Sequence, residues 1–235
     1  MNKKILISGG NGNLASHLLK CSNDYDVTAL DIDKMDVTDL SQIESSIIKY
    51  TPDYFIHTAA LTRPMSKHID SPDKSIQANI IGTSNVAIMC YRYNIKLVYI
   101  STDYVYPGIK GNYSETDALL PVNEYAWSKL GGECAVNLYK NSLILRMALC
   151  ETPFPHKKAL CDINKSYIYM DKAAKIILKL KDQFGVINVG GKAQTPYEFI
   201  KTKNKDIGKI YLNDIKDVSM AKDASLNVTK LNGLV

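Results

Sequence analysis

The stretch Ser8-Gly9-Gly10-Asn11-Gly12-Asn13-Leu14-Ala15 decides the fold. It follows Lys4-Ile5-Leu6-Ile7, an apolar run of strand length, and opens a segment of helical period from Asn13 to Cys21. A glycine-rich turn between a buried strand and a helix is the context a dinucleotide site requires. Gly9 permits the tight turn, Gly12 lets backbone approach a pyrophosphate, and Ala15 is small enough for the helix to pack closely on the strand. The exposed N–H groups at the helix start, on Asn13 and Leu14, then face the anionic phosphates.

Outward from this turn, strand-length apolar runs alternate with longer helical segments, the mark of a parallel sheet covered by helices. Strands are expected at Tyr25 to Leu30, Tyr54 to Thr58, Lys96 to Ser101 and Ser142 to Arg146. Helices are expected at Leu40 to Tyr50, Ser75 to Tyr93 and about Glu124 to Tyr139. Beyond Cys150 the pattern loosens, with a helix near Lys172 to Leu180, a strand at Val186 to Val189 and a weakly patterned tail. The expected fold is α/β, a Rossmann-type doubly wound parallel sheet. Residues 1–150 form a dinucleotide-binding domain, and 151–235 a shortened substrate lobe packed on the same body.

Asp31 ends the second strand 19 residues after Gly12, close to the spacing of a carboxylate that binds a ribose hydroxyl. It favours NAD, because a carboxylate there repels a 2′-phosphate. Lys34, three residues on, could pair with that phosphate, so NAD and NADP both stay open. Asp36 suits an adenine amino group or, equally, the start of a turn.

Composition narrows the functional classes. Hydrophobic residues at 46% and charged residues at 23% fit an ordinary globular protein. The formal charge is +5, yet only Arg63, Arg92 and Arg146 are arginines and the lysines form no basic run, so a nucleic-acid partner is not expected. No run approaches the roughly 20 apolar residues of a membrane span, and the start from Met1 runs straight into a strand without a signal peptide. Cys21, Cys90, Cys134, Cys150 and Cys161 lack any Cys-x-x-Cys pair. They read as reduced, buried thiols of a cytoplasmic protein. His17, His57, His68 and His156 have no metal-like spacing; His57 is expected to pack beside the cofactor groove.

Tyr125-Ala126-Trp127-Ser128-Lys129 sets a phenol and an ammonium four apart on one helix face. A phenol is a poor acid–base catalyst at neutral pH unless a neighbouring cation stabilises its phenolate. Ser101-Thr102-Asp103-Tyr104 ends the fourth strand, where open parallel sheets place ligand contacts. A hydroxyl there can donate to a carbonyl oxygen as it gains charge.

Together these residues resemble the extended short-chain dehydrogenases/reductases, and within them the dTDP-4-dehydrorhamnose reductase family. The likeness covers about residues 3 to 147. It is carried by His57-Thr58-Ala59-Ala60-Leu61-Thr62, Ser101-Thr102-Asp103-Tyr104-Val105-Tyr106, Tyr113-Ser114-Glu115-Thr116-Asp117, Pro121-Val122-Asn123-Glu124-Tyr125 and Leu143-Ile144-Leu145-Arg146. The resemblance implies Thr102, Tyr125 and Lys129 as the catalytic trio, with Ala59, Ala60, Thr62 and Asn79 among the cofactor contacts. The implied activity is NAD(P)H-dependent reduction of the keto group of a nucleotide-linked 4-keto-6-deoxy sugar. Thr62, Arg63, the 103 to 106 loop and Tyr167 or Tyr169 are left to hold that sugar, with Ser101 beside them.

Departures from the family bear on the substrate. Arg146 is followed by Met147-Ala148-Leu149-Cys150 where the family carries a Thr-Ser-Trp run shaping the sugar pocket, and the lobe is short. Such a pocket is expected to be shallow unless a second copy completes it, so a homo-oligomer is considered. Some relatives bind magnesium through a glutamate where this chain has His17, so no metal site is expected. Two alternatives stay open. One is a nucleotide-sugar epimerase or dehydratase of the same superfamily. The other is a non-catalytic dinucleotide-binding regulatory subunit, like the relative that regulates methionine adenosyltransferase.

Overall fold

The computed structural model describes residues 2–216 and 219–235. In chain order its elements begin with β1 (Lys4–Ser8), α1 (Asn13–Cys21), β2 (Asp26–Leu30), α2 (Leu40–Tyr50) and β3 (Tyr54–His57). Next come α3 (Lys67–Asp70), α4 (Pro72–Ser75), a π-helical segment (Ile76–Ile81), α5 (Gly82–Arg92), β4 (Lys96–Thr102), α6 (Glu124–Asn137) and β5 (Ser142–Met147). The remainder holds β6 (Leu149–Cys150), β7 (Lys158–Leu160), β8 (Ile168–Tyr169), α7 (Met170–Leu180), β9 (Gly185–Val189), α8 (Pro196–Lys201), β10 (Gly208–Ile210) and α9 (Thr229–Asn232).

Six strands pair in the order β2-β1-β3-β4-β5-β9, every pairing parallel. The order reverses direction between β1 and β3, and the crevice beyond the carboxyl ends of those strands is where open α/β sheets bind ligands. The turn after β1 and the Ala59-Ala60 segment after β3 meet there. One face of the sheet is covered by α1 and α7, through Leu14, Ala15, Leu18, Ala173, Ala174 and Ile177. The other buries Ile43 and Ile47 of α2, Val86 and Met89 of α5 and Val136 of α6. Parallel strands covered on both sides read as unbroken apolar runs, as Ile5, Leu6 and Ile7 do.

Two expectations are refined. The long helix set at Ser75 begins at Pro72, a favoured first helical residue, and passes through six residues of π-helix before α5. The sheet also extends past residue 150. β9 is its sixth strand and α7 packs on α1, so the segments left for a lobe are those carrying β6, β7, β8, α8 and β10. In that lobe β6 pairs with β8 and β7 with β10, around Cys150, Ala159, Tyr169, Ile200 and Ile207. The tail has its own structure: it returns to the 106 to 113 loop, where Tyr113 N–H donates to Ser225 and Asn227 N–H to Tyr113.

No helix among the described residues is long and apolar enough to cross a membrane. All five cysteines are free, but the expectation that they are buried holds only for Cys90 and Cys150: Cys21 and Cys161 are half-buried and Cys134 is exposed.

Candidate active site

The glycine turn takes the expected form for two different reasons. Gly9 has φ +72°, and a Cβ there would lie 2.8 Å from the backbone of Ala59. Gly10 is equally confined, its Cβ position being 2.9 Å from Ala29. Gly12 has ordinary extended backbone, and a Cβ would meet only the Gly9 carbonyl, at 3.0 Å. Gly9 and Gly10 therefore let strands approach, while Gly12 leaves its outer side open at the start of α1. No side chain caps that helix, so its first N–H groups are available to an anion.

Asp31 uses its carboxylate locally. It accepts from Asn11 N–H at 3.0 Å and from Ile32 N–H at 2.8 Å, fixing the glycine turn to the end of β2. It thus sits at the expected place, with lone pairs remaining for a ribose hydroxyl. Asp36 accepts from the Thr38 backbone and hydroxyl, the turn-starting role, with its Oδ1 atom. Lys34 is exposed.

Asn79, placed among the cofactor contacts, is instead a clamp. It is fully buried; its carbonyl accepts from Leu61 N–H at 2.8 Å, and its amide donates to the Leu61 carbonyl at 2.9 Å and to Ser128 Oγ at 2.8 Å. Both amide protons are spent on protein partners, so its contribution is to set the 59 to 62 segment against α6. Ala59 and Ala60 are half-buried in that segment, and Thr62 is exposed at its end. The helix comes this close because Gly132 faces the π-helical segment: a Cβ there would lie 2.8 Å from the Asn79 carbonyl.

Asn123 caps α6 by accepting from Ala126 N–H, and the helix then presents Tyr125 and Lys129 on one side. Lys129 is buried, with Nζ 4.2 Å from the centre of the Tyr99 ring. Burial lowers its pKa to about 7, opposed by the charge of Glu133. Burial pushes the Tyr125 phenol above its ordinary value and Asp103 and Tyr104 add to this, while Thr102 and Arg63 pull the other way. The expected depression of the phenol by Lys129 is not seen in this arrangement, where burial dominates. Lys129 is not among the groups that move the phenol, and burial of both side chains disfavours the charged form of each.

Thr102 ends β4 close enough to the Tyr125 phenol to lower its pKa, and its hydroxyl oxygen accepts from Tyr104 N–H at 3.3 Å. Ser101 does not share that position. Successive strand residues point to opposite faces, and its hydroxyl donates to buried Glu133 on α6, so the expected sugar contact is corrected. Asp103 is buried and paired with Lys165 at 2.5 Å. Tyr104 is half-buried beneath the same lysine. Arg63 lies on the rim, exposed and paired with Glu151 at 2.6 Å, so one side of the crevice is tied to the lobe.

His57 packs as expected: it is fully buried, bonded to Ser8 Oγ at 2.7 Å and Thr83 Oγ1 at 3.0 Å, and stacked on Tyr99. Desolvation, with a smaller push from Lys129, lowers its pKa to about 3. Three groups had no sequence signal pointing to the site. Lys165 is fully buried in the middle of it, His68 packs on the Tyr125 ring at 5.2 Å, and Glu133 holds Arg146 and Ser101 behind it. Among the described residues no cluster of three metal-ligating side chains exists.

Comparison with known proteins agrees with this fold. Over 148 residues the chain is 34% identical to dTDP-4-dehydrorhamnose reductase of Aggregatibacter actinomycetemcomitans, covering 61% of this chain and 50% of that protein. It is 30% identical over 146 residues to methionine adenosyltransferase 2 subunit beta of Bos taurus, covering 57% and 43%. These matches span about half the length of the curated relatives. In three dimensions it superposes on dTDP-4-dehydrorhamnose reductase of Bacillus anthracis, solved with NADP, with a TM-score of 0.90 and 25% identity, covering 100% of this chain and 94% of that one. Residues 3–150, well over half of the chain, match the RmlD substrate binding domain family, and the chain belongs to it.

Proposed function

We propose that the protein is a reductase that uses NADPH or NADH to reduce the keto group of a nucleotide-linked 4-keto-6-deoxy sugar, in the cytoplasm. The observation that carries this reading is Thr102 at the carboxyl end of β4 with Tyr125 and Lys129 one helical turn apart on α6, which packs on that strand, beside a glycine turn whose outer side is open. Relatives named as dTDP-4-dehydrorhamnose reductases, and a neighbour solved with NADP, support the substrate class and the cofactor.

The residues fit a dinucleotide. Uncapped N–H groups of Asn13 and Leu14 take the pyrophosphate, Gly12 keeps the approach clear, and Asp31 takes the adenosine ribose. Ala59, Ala60 and Thr62 line the groove toward the nicotinamide end. When bound, the reduced nicotinamide supplies hydride to the sugar carbonyl. Thr102 donates a hydrogen bond to the carbonyl oxygen, whose charge grows in the transition state. Tyr125 then gives its proton to that oxygen. Its raised pKa keeps it protonated at neutral pH, as a donor must be. Lys129, titrating near neutrality, holds the nicotinamide ribose and can pass a proton to the phenol.

Tyr104, Tyr167 and Arg63 border the space left for the sugar. A panel of nucleotide-linked 4-keto sugars, assayed with NADPH and NADH by loss of absorbance at the nicotinamide band, tests the proposal. Turnover with at least one sugar is expected, and none at high enzyme concentration overturns it. The similarity to methionine adenosyltransferase 2 subunit beta favours one second reading, a dinucleotide-binding regulatory subunit. That reading predicts cofactor binding with no turnover and a partner recovered by pull-down.

A further inference from the structure

We propose that Lys165 is a positioning residue, which keeps the Thr102 hydroxyl free for the substrate carbonyl by neutralising Asp103; the proposal rests on the reductase reading. Lys165 is 1% exposed, an unusual place for a lysine, and reaches its position from the lobe. Two reciprocal backbone hydrogen bonds with Gln194, at 3.0 and 3.1 Å, hold it there. Its Nζ donates to Asp103 Oδ2 at 2.5 Å and lies 3.3 Å from the centre of the Tyr104 ring. One side chain therefore fixes both residues that follow Thr102.

The second carboxylate oxygen faces Thr102. Thr102 Oγ1 donates to Asp103 Oδ1 at 3.3 Å, longer than the roughly 2.7–2.8 Å usual between oxygens. A buried carboxylate without a cation would satisfy itself by drawing that proton in, since an unpaired charge in such a place is costly. The Thr102 hydroxyl would then be turned from the substrate, and a negative charge would stand beside a carbonyl oxygen that is itself becoming negative. With the ammonium on Oδ2, the demand on Oδ1 is met and the threonine contact stays long. Lys165 also lies over the ring of Tyr104, holding one wall of the space left for the sugar.

The test uses the full chain with K165M, K165R and the double variant K165M/D103N. K165M is expected to lose turnover by on the order of 10²-fold, the loss typical of one misplaced oxyanion donor, with NADPH affinity by fluorescence within about twofold of wild type. Its rate should recover as pH falls and the stranded carboxylate takes up a proton. K165R should retain most activity. The double variant, which removes both charges, should exceed K165M in rate at neutral pH and lack its recovery in acid. Equal rates for K165M and the double variant, or a pH-independent loss, overturn the proposal. If K165M does not fold, the double variant and K165R supply the comparison: inactivity of the folded double variant overturns the proposal.

Thermal melts separate this failure from failure of the reductase reading, because they need no substrate. In K165M the carboxyl binds a proton more tightly folded than unfolded, so stability should rise as pH falls, and D103N should abolish that rise. Wild-type protein with no turnover on any sugar overturns the reductase reading and the role for Thr102. The melts still decide whether Lys165 and Asp103 are coupled.

Discussion

The Asn79 amide donates to Ser128 Oγ across 2.8 Å, joining the π-helical segment to the helix that carries Tyr125 and Lys129. Ser128 in turn donates to the Tyr125 carbonyl at 2.7 Å, and Asn79 holds both backbone groups of Leu61. The side chain thus ties the segment lining the cofactor groove to the one that supplies the acid. Replacing Asn79 with Ala removes three hydrogen bonds and leaves the half-buried Leu61 N–H without its partner. A loss of about 2–3 kcal/mol in chemical unfolding is expected. Cofactor affinity should also fall, although both amide protons of Asn79 are already spent within the protein. Unchanged affinity in the folded variant would show that the groove keeps its shape without the clamp.

Two glycines of one turn should fail in opposite ways. Gly9→Val places a β-branched residue at φ +72° and drives its Cβ into the Ala59 backbone, so the variant should not fold stably. Gly12→Val has only the Gly9 carbonyl to accommodate and should fold, while losing cofactor binding because the valine projects where the pyrophosphate would lie. Circular dichroism and calorimetry distinguish the two outcomes. A folded Gly12→Val protein that binds NADPH and NADH with wild-type affinity places the dinucleotide elsewhere.

Tyr125→Phe keeps the ring that packs on His68 and removes the proton. Turnover should fall by about 10²–10⁴ with cofactor affinity unchanged, because a positioned acid acts mainly in the transition state. Lys129→Met should impair both binding and rate, since Lys129 serves ribose and phenol together. Near wild-type turnover by Tyr125→Phe on a confirmed substrate would transfer the acid role to another group.

How far the site could be read from sequence depended on the range of the contacts involved. The glycine turn, the strand that precedes it and the Tyr125/Lys129 spacing are local patterns, legible because turn geometry and helical period act over a few residues. The sequence does not separate Ser101 from Thr102, because both faces of β4 are buried and no polar alternation shows which hydroxyl faces the crevice. Asn79 carried the right address with the wrong partner, since its hydrogen bonds reach across 18 and 49 residues. Lys165 left no trace: it looks like any of the many lysines until the lobe folds back and sets it on Asp103, 62 residues away.

His57 makes acid stability a test of the core beneath the cofactor groove. Its pKa falls from the ordinary 6.5 to about 3 in the folded chain, so between those values the unfolded chain binds the extra proton and the folded one does not. Stability is therefore greatest above the unfolded pKa and declines as pH falls from about 6.5 toward 3. The slope is about half of 1.36 kcal/mol per pH unit at pH 6.5, where the unfolded imidazole is half protonated, and approaches that value below it, so moving to pH 5 should cost on the order of 1–2 kcal/mol from this residue alone. His57→Asn keeps polar atoms facing Ser8 and Thr83 but cannot titrate, so its lower baseline stability should vary less with pH across that interval. Urea unfolding of both proteins at pH 5, 6 and 7 measures the slopes. Parallel curves for wild type and His57→Asn would mean that His57 enters the folded state already protonated, and that its contacts with Ser8 and Thr83 rearrange to accept the charge.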